Sequence, residues 1–148
     1  TYETAKSVLG QEPLIAMLSF STKGSAKSEE IDKIRRVVEK VKAINPQIKI
    51  DGELQFDAAI VPEVAKIKLS ASEVAGKANV LIFPELNSAN IGFKIIHRLA
   101  KAEVACTFIQ GSAKPFNDLS RGCNVEDIIS LIPMTLIQDT WKDKGGSL

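Results

Sequence analysis

At 148 residues, 45% of them hydrophobic and 25% charged, the chain is long enough for a globular unit with a real core. Nineteen lysines and arginines against 18 aspartates and glutamates leave a net charge of +1. That balance excludes a strong field for nucleic acid or an anionic membrane, and leaves any anion selectivity to a few placed cations.

Thr1 to Leu9 reads as a helical piece closed by Gly10 and Pro13. Leu14 to Ser19 is a short apolar run, the pattern of a strand buried on both faces. Ile31, Ile34, Val38 and Val41 recur at helical spacing among charged residues, which predicts an amphipathic helix over 27–43, ended by Asn45-Pro46. Ile48 to Ile50 predicts a second strand, and Asp57 to Lys66 a short helix disturbed by Pro62. Asn79 to Phe83, behind Gly76-Lys77 and closed by Pro84, is a third strand. Ile91, Ile95 and Leu99 mark a helix over 88–101, Val104 to Ile109 a fourth strand, and Asn124 the start of a last helix after a polar loop. Strands alternating with helices predict an α/β fold, a mostly parallel sheet with flanking helices.

No apolar run approaches the roughly 20 residues of a membrane span, and Thr1-Tyr2-Glu3 does not read as a signal peptide. Cys106 and Cys123 lack both Cys-x-x-Cys spacing and a nearby histidine, so neither a metal site nor a disulfide framework is expected. Two lone thiols suit a reducing, cytoplasmic setting. The ends, a helix without a start signal and a Lys142 to Leu148 tail, suggest a piece of a longer protein, with 142–148 a disordered tail or vector remnant.

In open α/β sheets ligands bind at the carboxyl ends of strands. Three loops rich in small, polar or glycine residues are expected there: Ser21 to Ser25, Glu85 to Asn90 and Gly111 to Pro115. They supply Thr22, Lys23, Asn90, Gly111 and Lys114 as candidate substrate-binding residues, although polarity is what any surface loop shows.

The segment from Lys114 to Asp127 carries more information. Ser120 and Arg121 fall in a turn just before a helix whose N-cap is Asn124, and a helix N-terminus favours anions. A guanidinium beside it suits bidentate phosphate contact. Asp127, three residues after Asn124, fits a capping box equally well. Ser120 fits a plain turn residue and Arg98 a surface charge, while His97, the sole histidine, reads as a packing or surface residue rather than a base.

The run Asn117 to Cys123, followed by Val125-Glu-Asp127, resembles the signature of the phosphate acetyltransferases. The similarity extends through Leu18 to Ser25, Asp51 to Ala65, Gly76 to Pro84 and Asn87 to Lys94, in order, over residues 14–138. Three features depart from the family pattern: Cys106-Thr107 in place of the commoner Gly-Pro, Asn124 where serine is frequent, and Pro133 within the last helix. The last of these puts the final helical turns in doubt.

The resemblance implies a two-domain enzyme of isocitrate/isopropylmalate-dehydrogenase-like fold, with this chain its carboxyl-terminal part and the amino-terminal half absent. It implies acetyl exchange between coenzyme A and phosphate by direct attack, in a homodimer with no bound cofactor; the partners are acetyl-CoA, phosphate and acetyl phosphate. By motif position Asp127 is the general base on the coenzyme A thiol, Ser120 bonds the reacting centre, and Arg121 and Arg98 hold the phosphate. A free carboxyl near pKa 3.9 and a free thiol near 8.5 are badly matched, so such a base needs help from burial or from cations beside the thiol. Two other readings remain: a butyryl-transferring sister enzyme, and a non-catalytic acetyl-CoA-sensing domain.

Overall fold

The computed structural model describes residues 1–69 and 71–143, so that most of the predicted tail lies outside the described residues. The chain divides into two compact units. A sheet unit comprises Tyr2 and Gln11–Gly92, and a helical unit comprises Thr1, Glu3–Gly10 and Phe93 onward.

The sheet unit holds three strands, β1 (Leu14–Leu18), β2 (Lys49–Leu54) and β3 (Val80–Ile82), in the order β2-β1-β3 and all parallel. The apolar run of β1 makes it central, because each face of the strand meets a separate core. Ile15 and Met17 pack with Ile50 and with Ile34 and Val38 of helix α2 (Glu29–Ile44). Ala16 and Leu18 pack on the other side with Leu54, Ala59, Ala65 and Val74. The helical spacing of Ile31, Ile34 and Val38 is what turns one face of α2 inward. The Ser28 side chain accepts from the Ile31 N–H and fixes where α2 begins.

Several expected boundaries move. The helix expected over 57–66 is two, α3 (Phe56–Ile60) and α4 (Pro62–Lys68), meeting at the extended Val61. Pro62 opens the second of them, where its missing N–H costs nothing. Strand β2 runs on through Asp51, Gly52 and Glu53, polar residues that look like a strand's end but are buried with partners. Helix α5 (Leu86–Leu99) starts two residues early, so Asn90 is helical rather than in a loop. The Glu85 carboxylate accepts from the N–H groups of Asn87 and Ser88, each at 2.6 Å, and satisfies the first orphan donors. Those N–H bonds hold the Glu85 carboxyl below its ordinary pKa.

The largest correction concerns Val104 to Ile109. No strand forms there, and β3 is an edge of the sheet. Apolar alternation supplies the faces of a strand, but a strand also needs a neighbour's backbone, and none of the described residues provides it. In the helical unit, α1 (Tyr2–Leu9) ends at Gly10 in the left-handed conformation, and α6 (Val125–Asp143) continues past Pro133. The expected interruption fails because side-chain anchors lie beyond the proline. Asn117 Nδ2 donates to Thr135 Oγ1 at 3.0 Å and to Gln138 Oε1 at 2.9 Å, and Gln138 is only 3% exposed. Among the described residues no helix is long and apolar enough to cross a membrane.

Gly76 offers a direct test of the packing between α4 and the approach to β3. It sits at φ 78°, and a Cβ there would lie 2.8 Å from Ala65 Cβ and 2.9 Å from Pro62 Cα. Its N–H also donates to the Ala58 carbonyl, so it cannot move freely. Gly76→Ala is expected to lower stability by about 2–4 kcal/mol, the left-handed strain adding to the overpacking. The urea midpoint of the variant checks this.

Candidate active site

Local bonds build the turn before α6. The Cys123 N–H donates to the Ser120 carbonyl at 2.9 Å, and the Gly122 N–H reaches Ser120 Oγ at 3.3 Å. Asn124 then caps α6 reciprocally with Asp127. The Asp127 N–H donates to Asn124 Oδ1 at 2.8 Å, and the Asn124 N–H donates to Asp127 Oδ2 at 2.9 Å. Both bonds of a capping box are therefore made, and they use one carboxylate oxygen of Asp127.

Asn117 ties this turn to its surroundings, a role its sequence motif did not disclose. Its Oδ1 accepts from the Ile109 N–H at 2.9 Å while its Nδ2 holds Thr135 and Gln138. Thr107 Oγ1 donates to the adjacent Asp118 carbonyl at 2.6 Å. One asparagine thus fixes residues 107–109 against α6 and with them the approach to Ser120. The signal for it was its position inside the motif, since a half-buried amide with both its oxygen and its nitrogen engaged is hard to replace.

Three of the predicted catalytic residues come together in the helical unit. Arg98, Ser120 and Asp127 line one small cavity of about 90 Å³ with His97, Cys106 and Cys123. A larger open groove of about 990 Å³ adjoins it, sharing His97, Arg98 and Asp127 and adding Lys101 and Glu126. Arg121 is exposed on the turn and does not line either space. His97 stacks on Phe93 with ring centroids 5.7 Å apart, and its Nδ1 is buried without a partner among the described residues. Burial pushes the Cys106 thiol above its ordinary pKa, so it is a poor nucleophile there. Both cysteines are free, and no group of three or more metal-ligating residues occurs among the described residues.

The predicted substrate-binding residues are divided between the two units. Gly111, at φ 89°, and Lys114 lie exposed in the loop before the turn. Thr22, Lys23 and Asn90 belong to the sheet unit. Thr22 is 7% exposed, its hydroxyl donating to Gln55 Oε1 and accepting from the Gln55 N–H. Lys23 is paired with Asp51 and donates to the Gly52 carbonyl at 2.9 Å.

Around these two lies a cluster that sequence reasoning missed. Glu53 is fully buried, yet its carboxylate accepts from Arg35 Nε at 2.8 Å, Arg35 Nη2 at 2.9 Å, the Gly24 N–H at 2.7 Å and Ser21 Oγ at 3.1 Å. A register irregularity between Met17 and Leu18 leaves Glu53 as the extra residue of β2 and re-aims it. Burial alone would raise its pKa, but the Arg35 guanidinium, the N–H groups and Ser21 together bring it down to about 2. Asp51 is likewise held below its ordinary value, burial being outweighed by Lys23, Ser72 and the Gly52 N–H. No sequence motif joins Glu53 to Arg35, which looks like one more charge on the solvent face of a helix.

The helical unit thus presents a guanidinium, a hydroxyl and a carboxylate at one cavity beside the N-terminus of a 19-residue helix, an arrangement suited to an anionic group and a proton. Residues 1–136 match the family described as phosphate acetyl/butaryl transferase, and the chain belongs to that family. It is 54% identical over 138 residues to the phosphate acetyltransferase of Clostridium acetobutylicum, covering 93% of this chain and 41% of that one. It is 56% identical over 135 residues to the phosphate acetyltransferase of Thermoanaerobacterium thermosaccharolyticum, covering 91% and 41%. A phosphotransacetylase structure from Streptococcus pyogenes superposes with a TM-score of 0.88 at 51% identity, over 95% of this chain and 42% of that one. The chain spans about two-fifths of the length of the curated relatives it matches.

Proposed function

We propose that this chain is the carboxyl-terminal, catalytic-residue-bearing part of a phosphate acetyltransferase, which reversibly transfers acetyl between acetyl-CoA and phosphate. The observation that carries the reading is the meeting of Arg98, Ser120 and Asp127 at one cavity, in a chain more than half identical to enzymes of that name. The whole enzyme has a two-domain, isocitrate-dehydrogenase-like fold, works as a homodimer in the cytoplasm and needs no bound cofactor.

In the direction that makes acetyl-CoA, the coenzyme A thiol attacks the acetyl carbon of acetyl phosphate. The thiol proton passes to Asp127, the new carbon–sulfur bond forms, and the carbon–oxygen bond to phosphate breaks. Asp127 has one carboxylate oxygen outside the capping bonds for this task. Arg98 balances charge on the departing phosphate, and Ser120 donates a hydrogen bond to the reacting centre. Arg121, exposed on the turn, closes on the phosphate from its other side once substrate and the remaining protein are present. Lys114, Gly111, Asn90, Thr22 and Lys23 contribute to substrate binding. Holding thiol and acyl phosphate in attack range supplies several kcal/mol by itself.

The test uses a chimera in which this chain replaces the matched segment of the Clostridium acetobutylicum enzyme. Acetyl phosphate formation from acetyl-CoA and phosphate is expected in the chimera, with butyryl-CoA a poorer substrate, and negligible turnover is expected from the chain alone. A folded chimera that binds acetyl-CoA without turning it over points instead to a sensing domain. Preference for butyryl-CoA points to the sister activity.

A further inference from the structure

The cavity at which Arg98, Ser120 and Asp127 meet has a second character that phosphate chemistry does not use. Much of its lining is apolar: Phe93 from α5, Val104, Ala105 and Cys106 from the segment after it, and Leu119 just before the turn. A phosphoryl group gains nothing from such walls, because its oxygens need donors around them. A short hydrocarbon group does gain from them.

Size narrows the occupant further. The cavity measures about 90 Å³. An apolar cavity of about 150 Å³ takes benzene, six carbons, so one of this size takes about three or four heavy atoms. An acetyl group has three heavy atoms and a butyryl group five. The adjoining groove of about 990 Å³, which shares His97, Arg98 and Asp127, has room for the far larger remainder of an acyl-CoA. Two lining residues set the limit from separate segments. Cys106 is half-buried, and burial pushes its thiol up, so at neutral pH it is an uncharged, compact apolar group. It also stands where glycine is commoner in the family pattern, which narrows the space in this chain by one side chain. Leu119 is half-buried as well.

We propose that this cavity is the acyl pocket, and that Cys106 and Leu119 are the specificity-determining residues that hold its occupant to acetyl. The proposal rests on the acetyl transfer assigned above and deepens it. The acyl carbon lies with Arg98, Ser120 and Asp127, and its methyl group lies among the apolar side chains. Each further methylene has to displace one of those side chains, which a packed wall resists.

The test measures kcat/KM for acetyl-CoA and butyryl-CoA in the chimera described above, in Cys106→Gly and in Leu119→Ala. Cys106→Gly removes two heavy atoms, the number by which butyryl exceeds acetyl. It is expected to raise the butyryl-to-acetyl ratio of kcat/KM by about 10-fold or more while the acetyl value holds. Leu119→Ala is expected to move the ratio the same way, and it reads the pocket if Cys106→Gly does not fold. Lost stability lowers both substrates together and leaves the ratio alone, so the ratio separates a pocket wall from a packing residue. A ratio unmoved by the variants overturns the proposal, as does a wild-type chimera that prefers butyryl-CoA. Calorimetric binding of the two thioesters to the same proteins needs no turnover. A chimera that binds acetyl-CoA more tightly, loses that preference in Cys106→Gly and turns over neither thioester keeps the pocket and sinks the assigned activity. One that turns over acetyl-CoA with the ratio untouched by the variants keeps the activity and sinks the pocket. A chimera that binds neither thioester overturns both.

Discussion

Asp127→Asn, in the chimera, is expected to cut turnover by about 10²–10⁴-fold while the melting temperature hardly moves. In the proposed mechanism Asp127 has two separable jobs, served by different atoms. As a cap it needs one acceptor oxygen for the Asn124 N–H, 2.9 Å away, and its own backbone N–H for Asn124 Oδ1. Asparagine keeps an acceptor oxygen and that N–H, so both bonds of the capping box survive. It has no carboxylate to take the thiol proton. Asp127→Ala removes both jobs and is expected to lose a further ~1 kcal/mol of stability, the usual cost of a lost cap bond. Rate and melting temperature measured on the same preparations separate the two roles. Near-normal turnover in Asp127→Asn would remove Asp127 from the chemistry and leave it a helix cap.

Arg98 reaches this cavity by a different route, and the difference explains what could be read beforehand. Ser120 and Asp127 are seven residues apart, in a turn and the first turn of a helix, so a local motif places them. Arg98 stands near the end of α5 and joins them only through tertiary packing; helical periodicity alone gives it as a surface charge. The apolar run of β1 and the spacing along α2 were legible because burial on a strand or a helix face imposes its period on the sequence. Asp51, Gly52 and Glu53 hid the length of β2, since their burial rests on Lys23, Ser72 and Arg35, none adjacent in sequence. Val104 to Ile109 shows the reverse case. Its side-chain pattern is that of a strand, but a sequence pattern cannot say whether the neighbouring strand lies within the same segment.

Glu53→Gln is expected to destabilise the sheet unit by about 1–3 kcal/mol at neutral pH, the scale for leaving a buried hydrogen-bonding group without its partner. Glutamine fits the space, but its amide nitrogen must face one of the donors that the carboxylate now accepts from: Arg35 Nε, Arg35 Nη2, the Gly24 N–H or Ser21 Oγ. A donor then opposes a donor at a side chain with no solvent exposure of its own. The same cluster sets the acid response. The Glu53 carboxyl titrates at about 2 in the folded chain against an ordinary 4.5, so the unfolded chain binds its proton first as pH falls. Its stabilising contribution is therefore complete above about pH 4.5 and is lost progressively toward pH 2. Asp51, also depressed, adds to that loss in wild type and variant alike. Urea midpoints taken from pH 6 to pH 2 should accordingly show the gap between wild type and Glu53→Gln narrowing as pH drops. The loop from Ser21 to Ser25 should loosen over the same interval, because Ser21 and Gly24 both bond to the carboxylate. A gap that stays constant across the range would mean that Glu53 is held by packing, with its charge and the Arg35 pair contributing nothing to the fold.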